Sequence, residues 1–353
     1  MSTVAMRVAI HFALVVAALG VAFGALEVLL RVRPTMLGQT FANGAFSRYT
    51  VRAGGIYYYD PNLRMNFMIP NHHTTMYFNG YSWRHETDAL GFRNAPLHIP
   101  ADVVLLGDSF VYGHGLEFED TLGHRLEERS GLRVANLGRQ GDCVFQEAYL
   151  LTEYIGVFAP RFVVYVFTWN DIEDLSSYLS DAEMEAFIAQ PVDAIRYPAR
   201  VPTDVGVRER DEGLRRRALW KRLDEQSYVV KMGRFIRYLW QEGRLGSAGA
   251  AAAPASDLVQ GQRDPTSIGW RYTDHAVAYM AHLSRRHRAR LLVVPITTGQ
   301  QFENLRDIAA RHDAGFVDTR EFLAGRWSLA TDGHFSPDGA RQLAATIARA
   351  LAR

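Results

Sequence analysis

From residue 101 onwards, short apolar runs alternate with stretches of helical spacing, and this alternation limits the possible folds more than any other feature. Runs with the length and composition of strands lie at 103–107, 133–137, 162–167, 291–296 and 316–317. The third run, FVVYVF, is apolar throughout, as expected of a parallel strand covered on both faces. Helical stretches lie near 120–130, 144–158, 270–288 and 337–351. The pattern predicts an α/β fold in which helices cover both faces of a parallel sheet, a three-layer α/β/α arrangement.

The N-terminal thirty residues differ from the rest of the chain. Residues 8–26 carry no charge, and the apolar character continues past Glu27 to Leu30. A helix over 8–30 would be ~34 Å long, which is enough to cross a bilayer. The apolar core of a cleavable signal peptide is shorter, about 7–15 residues, and no clear small-x-small cleavage site precedes Glu27. We therefore expect a single-pass transmembrane anchor over 8–30, with a signal peptide as the alternative.

Composition excludes several classes of protein. The net charge is +1, from 39 Lys and Arg against 38 Asp and Glu, which gives no electrostatic basis for a nucleic-acid partner. The single cysteine, Cys143, excludes a disulfide framework and a cysteine-based zinc site. The histidine pair at 72–73, His282 and His287 lack the spacing of metal ligands. We therefore expect neither a metal nor an organic cofactor.

Two regions interrupt the regular pattern. Residues 35–100 are rich in Tyr, Asn, Gly and Pro and are interpreted as an irregular or short-stranded preface to the domain at 101–353. Residues 172–268 form an insertion, with a flexible linker predicted at 246–256. Its basic part, 207–245, contains the interleaved aromatic residues Trp220, Tyr228, Phe235, Tyr238 and Trp240. The favoured interpretation is a helical cap whose aromatic residues pack on the domain; the alternative is a lid, or a helix on an anionic membrane surface.

Polar motifs follow four of the predicted strands, at the sheet edge where α/β proteins bind their ligands. GDSF places Ser109 in a strand-to-helix turn, and NLGRQGD offers two glycines whose N–H groups can approach a substrate oxygen. TWND offers the amide of Asn170. DGHFSPDG places Asp332 two residues before His334, close enough to hold the imidazole through Nδ1 and leave Nε2 for a serine. Each motif alone also fits an ordinary turn, but together they indicate serine-based acyl chemistry.

The four motifs in this order resemble those of the SGNH (GDSL-type) hydrolase superfamily, over about 101–353. The resemblance implies that Ser109 is the nucleophile and His334 the general base, with Asp332 as the orienting acid. Many members have the Asp three residues before the His, where this chain has Thr331. The Asp-x-His spacing found here is similar to that of polysaccharide O-acetylating members.

The resemblance also implies an oxyanion hole. Its donors would be the N–H of Ser109, the N–H of Gly141, with Gly138 as the fallback, and the side-chain amide of Asn170. Trp169 precedes Asn170 where a glycine is common in the superfamily. The stretch ALGFRN, at 89–94, is similar to one that accompanies membrane-anchored members, and it has no evident chemical role.

The resulting prediction is a membrane-anchored serine esterase that acts on acyl esters, such as the O-acyl groups of a glycan or lipid. One alternative is a glycan O-acyltransferase that works with a membrane acyl-donor protein. The other is a non-catalytic carbohydrate-binding or scaffold protein on the same fold. The charges that flank the anchor do not fix its orientation. The resemblance, however, implies an inner-membrane protein with a periplasmic catalytic domain.

Overall fold

A computed structural model of the protein describes residues 3–241, 243 and 263–353. It begins with one long helix, α1 (Thr3–Val32). Within α1, Met6–Val32 is long and apolar enough to cross a membrane, with a mean hydropathy of 2.4, and almost all of this stretch is exposed. Only its last turns pack against protein, where Leu30 is fully buried. The helix is compatible with a membrane anchor or a signal sequence.

The preface consists of short elements. A 3₁₀ turn at Pro34–Leu37 leads into α2 (Gln39–Phe46), an eight-residue helix that the sequence did not predict. Two antiparallel hairpins follow: β1 (Tyr57–Asp60) pairs with β2 (Met65–Met68), and β3 (His73–Phe78) pairs with β4 (Tyr81–Glu86). Asn79 and Gly80 join β3 to β4 with positive φ angles of 47° and 91°. An Asn-Gly pair in this conformation is the favoured two-residue turn of a hairpin.

The central sheet has five parallel strands. They are β5 (Val103–Leu106), β6 (Val134–Asn136), β7 (Phe162–Thr168), β8 (Arg290–Ile296) and β9 (Gly315–Phe316), in the spatial order β6-β5-β7-β8-β9. The carboxyl end of β5 therefore lies between the ends of β6 and β7, which brings the loops after these three strands to one edge. The predicted parallel sheet and its five strands are confirmed.

Helices cover both faces of the sheet, as predicted. Alternate residues of β5 face opposite sides: Val104 and Leu106 belong to one apolar cluster, and Val103 and Leu105 to the other. In chain order, the remaining helices are α3 (Ser109–Tyr112), α4 (Leu122–Ser130), α5 (Val144–Phe158), α6 (Asp171–Tyr178), α7 (Asp181–Ile188), α8 (Thr203–Arg216), α9 (Leu219–Gln226), α10 (Tyr228–Gln241), α11 (Ile268–Arg286), α12 (Gly299–Arg311), α13 (Arg320–Leu323) and α14 (Pro337–Leu351). Helices α5, α11 and α12 pack on the first face and α4 and α14 on the second. Shorter 3₁₀ turns lie at Phe118–Asp120 and Val192–Ala194.

The insertion is helical, from α6 to α10. Its first half packs on the α/β domain and the preface. Phe187 of α7 stacks on Tyr272 of α11, and Gly206 of α8 lies against the ring of Tyr58. Helix α10 packs instead on α1 and α2. The linker predicted at 246–256 lies outside the described residues.

The favoured interpretation of the aromatic residues in the insertion is partly wrong. Tyr228 and Phe235 are packed, but against the end of α1 and against α2 rather than against the catalytic core. Trp220, Tyr238 and Trp240 are 80%, 48% and 70% exposed. These three side chains therefore do not form the inner face of a cap.

Candidate active site

Ser109 is the first residue of α3 and directly follows the tight turn at Gly107 and Asp108 that ends β5. A Cβ on Gly107 would approach Val111 Cγ2 to 2.4 Å, so only glycine allows the turn to pack this closely. Asp108 is the N-cap of α3, and its Oδ1 accepts a hydrogen bond from the N–H of Phe110 at 2.9 Å. Its Oδ2 accepts one from Thr168 Oγ1 at 2.8 Å. Asp108 thus fixes the serine turn to the end of the neighbouring strand β7.

His334 and Asp332 reach the serine from the loop before α14. Nε2 of His334 lies 2.7 Å from Ser109 Oγ, and Nδ1 is hydrogen-bonded to Asp332 Oδ1. The loop is fixed at its end by Ser336, whose Oγ caps α14 through the N–H of Gly339 at 3.1 Å, and by the buried side chain of Phe335. The structure therefore brings together the three residues that the sequence predicted to form a Ser-His-Asp relay.

The charge of Asp332 is stabilised from two sides. Burial alone would raise its pKa, but the hydrogen bonds and the charge of His334 outweigh burial and hold the pKa of Asp332 well below its usual range. Oδ2 accepts a further hydrogen bond, at 2.8 Å, from the amide of Asn79 in the β3–β4 turn. The preface thus supplies a side chain that holds the acid of the relay.

A second histidine, His114, lies against the catalytic one. The two rings stack with centroids 4.0 Å apart and an angle of 17° between their planes. Nδ1 of His114 is 2.8 Å from Gln140 Nε2 and 3.2 Å from the hydroxyl of Tyr49. Burial, and then the charge of His334, lower the pKa of His114 to about 3. His114 is therefore neutral at physiological pH and lies flat against the ring of His334.

His114, Asp332 and His334 are also close enough together to be considered as metal ligands, with ligand atoms within 4.8 Å of one another. Nδ1 of His334 and Oδ1 of Asp332, however, are bonded to each other, and Oδ2 of Asp332 accepts from Asn79. These hydrogen bonds account for the atoms of His334 and Asp332, whereas Nε2 of His114 is buried without a hydrogen-bond partner among the described residues.

The glycine and asparagine motifs follow β6 and β7, the two strands that lie on either side of β5. Gly141 has a φ of +73°, and its N–H makes no hydrogen bond within the described parts of the chain. Tyr178 from the insertion donates to the carbonyl of Gly141 at 2.7 Å and fixes the following peptide. The N–H of Gly138, the fallback donor, is engaged by Asn136 Oδ1 at 2.9 Å. Of the two glycines, Gly141 is thus the one with an N–H that can turn to a substrate.

Asn170 follows β7 and precedes the first turn of α6. Its amide donates to Asp174 Oδ2 at 2.6 Å, which fixes the side chain and leaves its second amide hydrogen for another acceptor. The preceding residue, Trp169, is 41% exposed. Its ring contacts Phe110 edge-on at 5.3 Å, and the ring of Phe110 lies 4.8 Å from that of His334. Trp169 therefore provides an exposed apolar surface beside the catalytic residues.

Arg93, in the ALGFRN stretch, connects the preface to the loop that follows Ser109. The guanidinium is buried and donates to the carbonyls of Tyr112, Gly113 and Leu116, at 3.0, 2.8 and 3.0 Å, and to that of Arg84 at 3.1 Å. The first three carbonyls belong to the segment that follows Ser109 and carries His114, and the fourth belongs to β4. Arg93 thus fixes the position of the loop that holds the ring of His114 against that of His334.

A Ser-His-Asp relay at the carboxyl edge of a parallel sheet, with glycine and asparagine loops on either side of the serine, is the arrangement implied by the resemblance in the sequence. The parallel sheet of five strands with helices on both faces also agrees with that resemblance. No family model matches the chain, and no curated protein matches it either. Among solved structures, that of TesA covers 70% of this chain and 97% of its own, at 13% identity and a TM-score of 0.40. A candidate lipolytic protein of the G-D-S-L family from Desulfitobacterium hafniense DCB-2 covers 70% and 98%, at 11% identity and a TM-score of 0.38.

Sequence reasoning missed the residues that support the relay from outside the four motifs. His114 lies only five residues after Ser109, between two glycines with positive φ angles, Gly113 and Gly115. Asn79 stands in an Asn-Gly pair between two alternating runs, which is a strong hairpin signal. Each signal predicts a local turn, but neither indicates that a side chain of the turn contacts His334 or Asp332.

Proposed function

We propose that this protein is a membrane-anchored serine esterase that hydrolyses acyl esters, with Ser109 as the nucleophile. The observation that carries the proposal is the continuous relay from Asp332 Oδ1 through His334 to Ser109 Oγ, with a distance of 2.7 Å at the serine. This is the hydrogen-bonded geometry that a serine needs to lose its proton as it attacks.

The mechanism has two acyl-transfer steps. As Ser109 Oγ bonds to the ester carbonyl carbon, its proton passes to Nε2 of His334, and Asp332 stabilises the imidazolium that results. Collapse of the tetrahedral intermediate breaks the bond to the alkoxy oxygen, which leaves as the alcohol with the proton from Nε2. A water molecule then attacks the acyl-enzyme in the same way, with His334 as base and then acid, and the carboxylic acid is released.

The charge on the carbonyl oxygen needs preorganised donors. The N–H groups of Ser109 and Gly141 make no hydrogen bond to any described residue, and Asn170 has a second amide hydrogen. Removal of one such donor typically costs about 3 kcal/mol of transition-state stabilisation. We assign these three groups to the oxyanion hole.

The proposal is tested with Ser109→Ala in the full chain. Turnover of p-nitrophenyl acetate should fall at least about a thousandfold, because the nucleophile is lost, while the melting temperature stays near that of the wild type. Ser176→Ala, which changes an exposed serine of α6, is the matched control and should keep full activity. Unchanged turnover in Ser109→Ala would overturn the proposal. If a fluorophosphonate probe also fails to label the folded wild type, a non-catalytic role on the same fold is favoured.

A glycan O-acyltransferase is the second candidate, favoured by the N-terminal apolar helix and by the Asp-x-His spacing of Asp332 and His334. In this reaction the acyl group would pass from Ser109 to a sugar hydroxyl instead of to water, and a membrane acyl-donor protein would be the partner. The two are separated by loading the serine with a labelled acyl group in the presence of a glycan. Label on the glycan indicates transfer, and release to water alone indicates an esterase.

We further propose that α1 is retained as an inner-membrane anchor and that the catalytic domain is periplasmic. Leu30 is fully buried in the folded protein, and Glu27 is bonded to α10, so cleavage after the apolar segment would remove part of the fold. A periplasm-dependent reporter fused after Arg353 should be active. An active cytoplasmic reporter at the same position would overturn the orientation.

A further inference from the structure

Helices α9 and α10 expose six large apolar side chains outside the catalytic core. In α9 these are Leu219, Trp220 and Leu223, and in α10 they are Ile236, Tyr238 and Trp240, between 40% and 80% exposed. Leu219, Trp220 and Leu223 share one face of α9, and Ile236 and Trp240, four residues apart, share one face of α10. Exposed apolar side chains at this density on two consecutive helices indicate a surface that is covered by a partner.

The same two helices are basic. Between 219 and 241 the chain carries five basic side chains against two acidic ones. Lys221 and Arg222 stand beside Trp220, and Arg237 stands between Ile236 and Tyr238. Aromatic and aliphatic residues on one face with Lys and Arg next to them are typical of helices that lie in the headgroup region of a bilayer.

The position of α10 relative to α1 identifies the bilayer as the partner. The uncharged run 8–26 would be ~29 Å long as a helix, which matches the thickness of the hydrocarbon core and places Glu27 at its edge. The carboxylate of Glu27 accepts hydrogen bonds from Ser227 Oγ and from the N–H groups of Tyr228 and Val229, at 2.9, 3.0 and 3.0 Å. The start of α10 is therefore fixed at the level where the hydrocarbon ends.

Helix α9 is held at the same level. It ends at Gln226, one residue before Ser227, and the carbonyl of Gln226 accepts a hydrogen bond from Arg31 Nη2 at 2.8 Å. The guanidinium of Arg31 also lies over the ring of Tyr228, 4.3 Å from its centroid. The last two turns of α1 thus contact both helices.

We propose that α9 and α10 lie on the membrane surface and insert their exposed aromatic and aliphatic side chains among the lipid headgroups and upper acyl chains. The inference rests on the proposal that α1 is a retained membrane anchor, and goes beyond it by adding a second membrane contact. Aromatic contacts connect α10 to the surroundings of the relay. The ring centroids of Phe46 and Tyr228 are 4.6 Å apart, and those of Tyr49 and His114 are 5.9 Å apart. The interfacial helices are therefore connected to the candidate active site through the end of α2 and the residues that follow it.

The proposal is tested by attaching a fluorescent label to single introduced cysteines in the full chain. Cys143 is fully buried, so the unmodified protein supplies the labelling blank. Trp220→Cys and Trp240→Cys report on α9 and α10, and Val21→Cys reports on α1. Val157→Cys, an exposed position at the end of α5 near the opposite edge of the sheet, is the matched control. The proteins are placed in vesicles of phosphatidylglycerol and phosphatidylethanolamine that contain a lipid with a nitroxide near the headgroup end of its acyl chain.

Quenching by the nitroxide lipid should be several-fold greater at positions 220 and 240 than at 157. Equal quenching at 220, 240 and 157, with strong quenching at 21, would overturn the interfacial assignment and leave the anchor intact. Absence of quenching at 21 would show that α1 is not in the bilayer and would overturn both proposals. The esterase activity of Trp220→Cys on a soluble ester is measured in parallel, and wild-type turnover shows that the label reports on a folded enzyme.

Discussion

The shorter spacing between Asp332 and His334 is explained by the local backbone. Oδ1 of Asp332 accepts the N–H of His334 at 3.0 Å, which closes an Asx turn, and the same oxygen is bonded to Nδ1 of the imidazole. One carboxylate oxygen thus fixes both the backbone and the ring of the histidine. Oδ2 is then free to be held from outside the loop by Asn79. An acid two residues before the base is therefore sufficient for the relay.

This arrangement predicts that Asn79→Ala slows catalysis although the residue does not touch substrate. Loss of a hydrogen bond to a carboxylate costs about 1.5–3 kcal/mol, so kcat should fall about tenfold or more while KM changes little. The measurement is the separate determination of kcat and KM on a soluble ester.

Asn71→Ala is the matched control for Asn79→Ala. Both asparagines have left-handed backbone conformations, with φ angles of 50° and 47°, so both substitutions carry a similar backbone penalty. The side chain of Asn71 makes no hydrogen bond within the described residues. Equal kcat values for the two variants would show that Asn79 does not position the acid.

The residues that sequence reasoning located are those whose roles follow from local order along the chain. Ser109 and Asn170 come directly after strands, and a parallel sheet necessarily brings such positions to one edge. Asn79 and His114 act through tertiary contacts with Asp332 and His334, and nothing in their own neighbourhood specifies those contacts. Local sequence therefore predicts the three residues of the relay but not the side chains that hold them.

At the level of helices and strands, α1 and α10 form one unit. Glu27, a charged residue near the end of an apolar helix, is the N-terminal cap of a helix two hundred residues later in the chain. The favoured interpretation of the insertion therefore predicts the wrong packing surface for two of its aromatic residues. Tyr228 and Phe235 pack against Leu30 and α2, and the apolar pattern of α10 could not distinguish this partner from the catalytic core.

The hydrogen bonds between Glu27 and the start of α10 predict that Glu27→Ala releases the start of α10 without affecting the α/β domain. Replacement of an N-cap acceptor typically costs about 1 kcal/mol, and here three donors lose their acceptor together. Hydrogen exchange of the amides at 228–232 should be faster in the variant. The amides of α14 serve as the internal reference and should exchange at the wild-type rate. Unchanged protection at 228–232 would contradict the proposed cap.

In the molecule as a whole, a group of buried carboxyl groups lies beneath the active site. Burial raises the pKa of Asp108 to about 6 and that of Asp142 to about 7, the latter although Arg139 is paired with it at 2.7 Å. Burial also raises the pKa of Glu147 well above its usual range, and nearby acidic residues raise it further. Both carboxyl oxygens of Glu147 are buried and lack a hydrogen-bond partner among the described residues. The folded state therefore holds protons that the unfolded chain releases.

The free energy of unfolding therefore depends on pH in the direction opposite to that caused by most acidic residues. Above the ordinary pKa of a glutamate, the unfolded chain releases its proton while Glu147 in the folded protein keeps it, so the free energy of unfolding decreases as pH rises. The decrease is about 1.4 kcal/mol per pH unit until the pH reaches the raised pKa. Glu147→Gln removes this proton and keeps the shape of the side chain. The melting temperature of the variant should therefore exceed that of the wild type by an increment that grows from pH 5 to pH 8, measured by intrinsic fluorescence of the detergent-solubilised full chain.

Glu153→Gln, an exposed position on the same helix, is the control for Glu147→Gln. Because water solvates Glu153 in both the folded and the unfolded chain, this substitution should shift the melting temperature little and by a similar amount at each pH. A constant difference between Glu147→Gln and the wild type from pH 5 to pH 8 would show that Glu147 is ionised in the folded protein. It would then need a positively charged or hydrogen-bonding partner in the interior, and the carboxyl groups beneath Ser109 would carry negative charge toward the oxyanion hole. A growing difference instead means that Glu147 keeps its proton in the folded protein and adds no negative charge to this interior.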